Sequence, residues 1–285
     1  MKEGTFMDFL LILAIILLST KLFGIISQRV NLPSVVGALV AGLLLGPACF
    51  NIVSESDFIM KLAEIGVIML MFLAGLDTDI EELKKTGVAS LVIALIGVIV
   101  PLAGGYVAYM CFYDTSDMLG IIKGIFVGVI LTATSVSITV ETLREMGKLK
   151  GRMGTAILGA AIIDDIIGIV VLTVVIGMKD PSANLGFVLL KILGFFVFSV
   201  VVGFLCYLLF KHLHKKHGEK RRVAIYGFAF CLLMAYIAEH FFGVADITGA
   251  YFAGIILCQI GAKEYIAKKI NVASYMLCAP VFFAS

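Results

Sequence analysis

The chain has 285 residues, 61% of them hydrophobic and 15% charged, with mean hydropathy +1.10 and a formal net charge of +2. Soluble domains carry about 25% charged residues, so this composition excludes a soluble globular protein. Its near-neutral charge gives no basis for nucleic-acid binding. The six cysteines stand singly in or beside apolar segments, without metal or redox spacing, and read as small packing residues.

Apolar stretches of about 20 residues, each enough to cross a hydrocarbon core of about 30 Å as a helix, recur along the chain. The first, near 7–27, is too long for a signal-peptide core and has no small-residue cleavage site after it. Further spans are expected near 34–51, 60–77, 86–112, 120–143, 151–178, 186–212, 222–242 and 245–262, with a tenth beginning near 272. The fold class is therefore all-α integral membrane, with nine full transmembrane helices and a partial tenth. The connecting loops are too short to hold a soluble domain.

Loop charge sets an expected orientation. Odd-numbered loops hold 16 of the 22 Lys and Arg residues, among them Arg144, Lys148, Lys150 and Arg152; the N-terminal tail and even-numbered loops hold five. Odd loops should be cytoplasmic and the N-terminus outside, which suits a multi-pass protein of a bacterial inner (plasma) membrane.

An internal repeat adds to this. Residues 35–45 read VVGALVAGLLL and residues 247–257 read ITGAYFAGIIL, sharing GAxxAG at an offset of 212. The first copy lies in the second span and the other in the ninth, so they run in opposite directions, as in inverted-repeat transporters. A seven-span offset leaves spans four to six without counterparts. The chain ends at Ser285 inside an apolar run. We therefore expect a C-terminally truncated form of a thirteen-span protein.

Two features carry chemistry. Asp164 and Asp165 stand together in GAAIIDDIIGIVVL, and Asp164 lies about 18 Å along a helix from Arg152. Each acid at that depth costs about 2.5–3.5 kcal/mol on the insertion scale, more than a structural contact requires. Two carboxylates in a poorly hydrated site resist being ionised together. A proton can then compete with a small cation for the pair, which titrates as a unit. The second feature is LTATSVSIT, residues 131–139 in the fifth span. Thr134 lies about 20 Å into the membrane from the opposite side, near the depth of the acids. The hydroxyls of Thr132, Thr134, Ser135 and Ser137 compete for backbone groups, so the helix is expected to unwind there and release carbonyls toward a cavity. The alternative is a continuous helix whose hydroxyls bond back to its carbonyls.

ATSVSIT followed by GAAIIDDIIG resembles the second monovalent cation:proton antiporter family, of the Nap and Kef type. LPSVVGALVAGLLLGP at 32–47, AEIGVIMLMFLAGLDTD at 63–79 and PVFFAS at 280–285 fit it too. The resemblance implies an inverted-repeat antiporter fold with a helix broken at the midplane. It implies a homodimer with a scaffold and a mobile core that carries the ion by an elevator-type motion. On that pattern residues 1–80 are N-terminal spans on the scaffold and dimer side with the start of the core, and 81–180 hold the ion-translocating core. Residues 181–220 are a linker helix and basic loop, and 221–285 begin the second repeat. Asp165 matches the ion- and proton-binding acid and the monovalent-cation site. Asp164 matches its neighbour, which pairs with a later-helix Lys in electrogenic members. Thr134 and Ser135 match the broken-helix ligands, supported by Thr132, Ala133 and Ser137.

The implied activity is exchange of a monovalent cation, Na⁺ ahead of K⁺ or Li⁺, for protons, with no cofactor beyond the transported ions. Kef-type K⁺ efflux is the nearest alternative. A membrane enzyme is a distant one, since a diphosphate-binding DDxxD motif fails at Gly168 and no second Asp-rich motif appears. Weaker features have plain structural readings. Glu64, Asp77 and Asp79 read as boundary charges, and Asp246 as a helix cap or a lining of the outer entrance. His212, His214 and His217 read as part of a solvated or lipid-facing basic patch.

Overall fold

The computed structural model describes residues 3–53, 56–113, 117–179, 185–217 and 221–274. Among these residues eleven helices form in chain order: α1 (Glu3–Arg29), α2 (Ser34–Leu45), α3 (Asp57–Asp77), α4 (Ile80–Phe112), α5 (Met118–Thr132), α6 (Val136–Glu145), α7 (Arg152–Lys179), α8 (Leu185–His217), α9 (Arg221–Phe242), α10 (Asp246–Leu257) and α11 (Lys263–Ala273). Seven apolar segments among the described residues are long enough to cross a membrane: α1, α3, α4, α5 with α6, α7, α8 and α9.

The expected count of nine full spans therefore needs correction at two places. The helices expected at 34–51 and 245–262 are α2 and α10, of 12 residues each, or about 18 Å. Gly46 closes α2 by bonding the Gly42 carbonyl at 2.8 Å, and Pro47 follows, a residue with no N–H to continue the ladder. The apolar residues beyond it, Cys49 and Phe50, lie in a turn. A third difference falls at 263–273, expected as a loop. There α11 forms, with Ile266 and Ile270 buried on one face. The partial tenth span expected after it lies mostly outside the described residues, as do PVFFAS and Cys278. The described structure of His212, His214 and His217 is limited to backbone.

The core is built around α3, in which every residue from Val67 to Leu76 is buried. Its main neighbour is α10, and the two cross backbone on backbone. A Cβ added at Gly75 would meet the Tyr251 carbonyl, and one added at Gly254 would meet the Phe72 carbonyl. The crossing is sealed by a 3.0 Å hydrogen bond between Tyr251 and Thr78. Thr78 Oγ1 already donates to the Ala74 carbonyl at 2.9 Å, so the tyrosine hydroxyl donates. With no hydrophobic drive between helices in lipid, such close approach at small residues is a main source of cohesion.

The GAxxAG copies behave alike. Each forms a 12-residue helix packed on the helix before it, α2 on α1 and α10 on α9. Gly37 seats on the Phe23 carbonyl, and Gly249, its counterpart at offset 212, seats on the Met234 carbonyl. A second group comprises α4, α5 and α7. Gly128 lies against the Leu102 carbonyl, and Ser90 Oγ donates to the Ala156 carbonyl of α7 at 3.0 Å. An aromatic cluster of Phe195, Phe196, Phe242 and Phe252 joins α8, α9 and α10.

Overpacking a close crossing costs about 1–3 kcal/mol. Gly75→Val should therefore lower the thermal unfolding midpoint of the detergent-solubilised protein. Gly97→Ala, whose added carbon meets nothing within 4 Å, should not.

Candidate functional site

The helix expected across 120–143 is broken where the hydroxyl run predicts. α5 ends at Thr132, residues 133–135 are non-helical, and α6 begins at Val136. Ala133 and Ser135 are extended, at φ −64°, ψ 109° and φ −77°, ψ 102°. The hydroxyls stabilise both broken ends. Thr132 Oγ1 donates to the Val129 carbonyl at 2.7 Å and Thr134 Oγ1 to the Thr132 carbonyl at 3.2 Å, closing carbonyls that the end of α5 leaves unpaired. Ser135 caps α6, its Oγ accepting from the Ile138 N–H at 3.4 Å. Thr132, Val136 and Ser137 are buried, whereas Ala133, Thr134 and Ser135 are exposed.

Asp164 and Asp165 lie midway along the 28-residue α7. The depths of the two features agree. α6 and α7 are joined by the short loop 146–151. From that loop, Ser135 is about 15 Å back along α6 and Asp164 about 18 Å along α7. α7 packs against α4, α5, α6 and α8. At about 100° per residue, Asp165 projects within about 20° of Leu158 and about 60° of Ile162. Both are buried in the main core with Val136 and Val140 of α6. Asp165 thus shares the face of α7 buried with α6, and Asp164 projects about 100° away from it. Both aspartates are half-buried. Among the described residues Asp164 Oδ1 is buried with no hydrogen-bond partner, a costly state for a carboxylate oxygen.

The break also sets an electrostatic pattern. The C-terminus of α5 carries partial negative charge and the N-terminus of α6 partial positive charge. One end favours a cation and the other an ionised carboxylate, at the depth where α7 places its acids.

The weaker candidates resolve individually. Asp77 pairs with Lys150 at 2.9 Å. Asp79 caps α4, accepting from the Glu81 and Glu82 N–H groups at 2.8 and 3.3 Å. Asp246 is the first residue of α10 and accepts from the Ile247 N–H at 2.6 Å, while the capping position itself is Ala245. The fold also brings together what the sequence keeps apart. Carboxylate oxygens of Glu64 on α3, Glu239 on α9 and Asp246 converge within 4.8 Å of one another. Glu239 and Glu145, which joins α6 to α2 through the Ser34 N–H, carried no local signal, because each meets its partners across distant helices.

Long apolar helices, one of them interrupted beside a helix that carries a pair of half-buried acids, define a multi-pass, all-helical membrane protein. The family described as "Sodium/hydrogen exchanger, transmembrane" matches residues 13–285. The Na⁺/H⁺-K⁺ antiporter GerN of Bacillus cereus is 38% identical over 98% of this chain and 70% of its own length. The probable Na⁺/H⁺ antiporter GerT of the same species is 40% identical over 96% and 72%. The fold is similar to that of the sodium proton antiporter MjNhaP1 from Methanocaldococcus jannaschii. The TM-score is 0.67 at 21% identity, covering 97% of this chain and 70% of that one. The chain belongs to the transmembrane sodium/hydrogen exchanger family.

Replacing an N-cap serine with alanine costs about 1 kcal/mol. Ser135→Ala should therefore lower the thermal midpoint, and Ser135→Asn, which keeps a capping oxygen, should restore most of it.

Proposed function

We propose that this protein exchanges Na⁺ for H⁺ across a membrane, with Asp165 binding the cation or the proton in turn and Asp164 as its coupled neighbour. One observation carries this reading: the helix is broken at Ala133–Ser135, at the depth of the acids on α7, where Asp164 Oδ1 has no partner among the described residues. Carboxylate, hydroxyl and carbonyl oxygens are the ligands a hard monovalent cation favours. Thr134 and Ser135 would complete the site, with Thr132, Ala133 and Ser137 holding the break. The names of the relatives, Na⁺/H⁺ antiporters and so transporters rather than enzymes, support the same reaction.

The α4–α7 group is the proposed mobile core, moving elevator-fashion against a scaffold that includes α1–α3, α9 and α10. The close packing of α4, α5 and α7 on one another, and of α10 on α3 and α9, supports that division, with α6 packed on α2 and α3 as well as on α7. The loop charges support a cytoplasmic α6–α7 loop, an outside N-terminus and a bacterial inner membrane. The GAxxAG pair, seated alike on preceding helices, supports an inverted repeat within a thirteen-span plan of the Nap and Kef type, working as a homodimer. A second reading has K⁺ carried as well, which the printed name of the GerN relative favours; Li⁺ fits the same oxygen ligands.

In everted vesicles the protein should dissipate a respiration-driven pH gradient when Na⁺ is added, and Asp165→Asn should abolish this. Thr134→Val should raise the apparent KM for Na⁺ about tenfold, the effect of losing about 1.4 kcal/mol of binding. Cation-dependent exchange surviving in Asp165→Asn would sink the site assignment. Inactivity of the folded protein with Na⁺, K⁺ and Li⁺ alike would sink the reaction.

A further inference from the structure

The loop 146–151 joins the broken helix to the acid-bearing helix, and a polar bridge stands at each end of it. Glu145 is the last residue of α6. Its Oε2 accepts from the Ser34 N–H at 2.6 Å and its Oε1 from Gln28 Nε2 at 3.0 Å. Ser34 is the first residue of α2, whose capping position is Pro33 and which has no side-chain cap of its own. An anionic carboxylate from 111 residues away therefore meets an N–H that the start of α2 leaves free. The positive end of the helix dipole strengthens the contact. At the far end of the loop, Lys150 Nζ lies 2.9 Å from Asp77 Oδ1, the last residue of α3. That lysine side chain is 72% exposed, so the pair is weak; the Glu145 contacts are exposed as well, but the carboxylate makes two hydrogen bonds there, to two separate donors.

Both bridges cross between the two packing groups, from the end of α6 and the loop before α7 to the ends of α1, α2 and α3. The loop between them turns at two glycines. Gly147 and Gly151 take φ +66° and +111°, each with open space where a Cβ would stand, and glycine adopts such angles at no steric cost. Leu149, buried in the main core, anchors the middle.

We propose that Glu145 is a positioning residue for transport. Its carboxylate is a clasp that holds the cytoplasmic half of the broken helix to the start of α2 in the state seen here, and it releases when the α4–α7 group moves. This inference rests on the mobile-core reading above. The clasp lies about 15 Å along α6 from the break and touches no transported ion. It acts on exchange by setting how the two states are populated.

The test replaces the clasp with a covalent one. Gln28→Cys with Glu145→Cys, in protein whose native cysteines are replaced, is bridged by a short reducible cross-linker in everted vesicles. Cross-linking should stop Na⁺-driven proton exchange and reduction should restore it; undiminished exchange in the cross-linked protein overturns the proposal. Without a cross-linker, Glu145→Ala should shift the apparent KM for Na⁺ severalfold, with Glu145→Gln, which keeps an acceptor for the Ser34 N–H, recovering much of the change. A fall in Vmax alone, in proportion to folded protein, marks a merely structural role and also overturns it. If the parent protein exchanges none of the three cations, the transport reading fails, and the clasp is judged by maleimide labelling of Ser34→Cys. Labelling should be severalfold faster with Glu145→Ala, and equal rates overturn the clasp.

Discussion

A hydrocarbon interior supplies no hydrogen-bond partners, so every unpaired backbone group inside it must be met by the protein. Three non-helical residues, 133–135, in the middle of an apolar segment long enough to cross a membrane are the point at which this chain confronts that constraint. The surrounding sequence answers it. Thr132 and Thr134 close carbonyls at the end of α5, and Ser135 supplies the first acceptor of α6. Hydroxyl residues that would weaken an ordinary helix here make an interruption tolerable, and the interruption sets two opposed helix ends at the level of the only adjacent pair of aspartates in the chain.

The rest of the architecture holds that arrangement in place with little hydrophobic drive available. Its close contacts are glycines on carbonyls: Gly75 and Gly254 where α3 crosses α10, Gly128 where α5 meets α4, Gly37 and Gly249 in the two copies of the repeat. Contact at this range is unforgiving of even one added carbon, which makes each group of helices rigid. Between the groups apolar packing continues, with Val136, Val140 and Leu158 in the core around α3, and polar links join it at the loop, Glu145 on Ser34 and Lys150 on Asp77. Polar links of this kind exchange with water at a membrane surface far more readily than packed backbone separates.

Much of this was legible in the sequence because its causes are local. Span positions follow from runs of apolar residues, the break from four hydroxyls in six positions, and the pairing of α2 with α10 from GAxxAG. The length of α2 is obscured in the sequence because Cys49 and Phe50 keep the hydropathy high after Gly46 and Pro47 have ended the helix, and that of α10 because Cys258 and Ile260 do the same beyond Leu257. Residues 263–273 read as a loop because their lysines dominate, although Ile266 and Ile270 have the spacing of a buried helical face. Contacts made only by folding carried no signal at all. Glu145 reaches residues 111 and 117 positions away, and Glu239 meets Glu64 from a different helix.

The 3.2 Å bond from Thr134 to the Thr132 carbonyl has a further consequence. A free hydroxyl is two-faced, donating to an anion or accepting from a donor by rotating its hydrogen. Here the hydrogen is already committed to the backbone, so only lone pairs remain to be presented. The residue becomes a ligand of fixed polarity. A cation approaching this hydroxyl would find oxygen without having to turn a dipole, and an anion would find no donor in this one group. A short bond that began as a remedy for broken backbone thereby fixes the sign of what the Thr134 hydroxyl itself can hold.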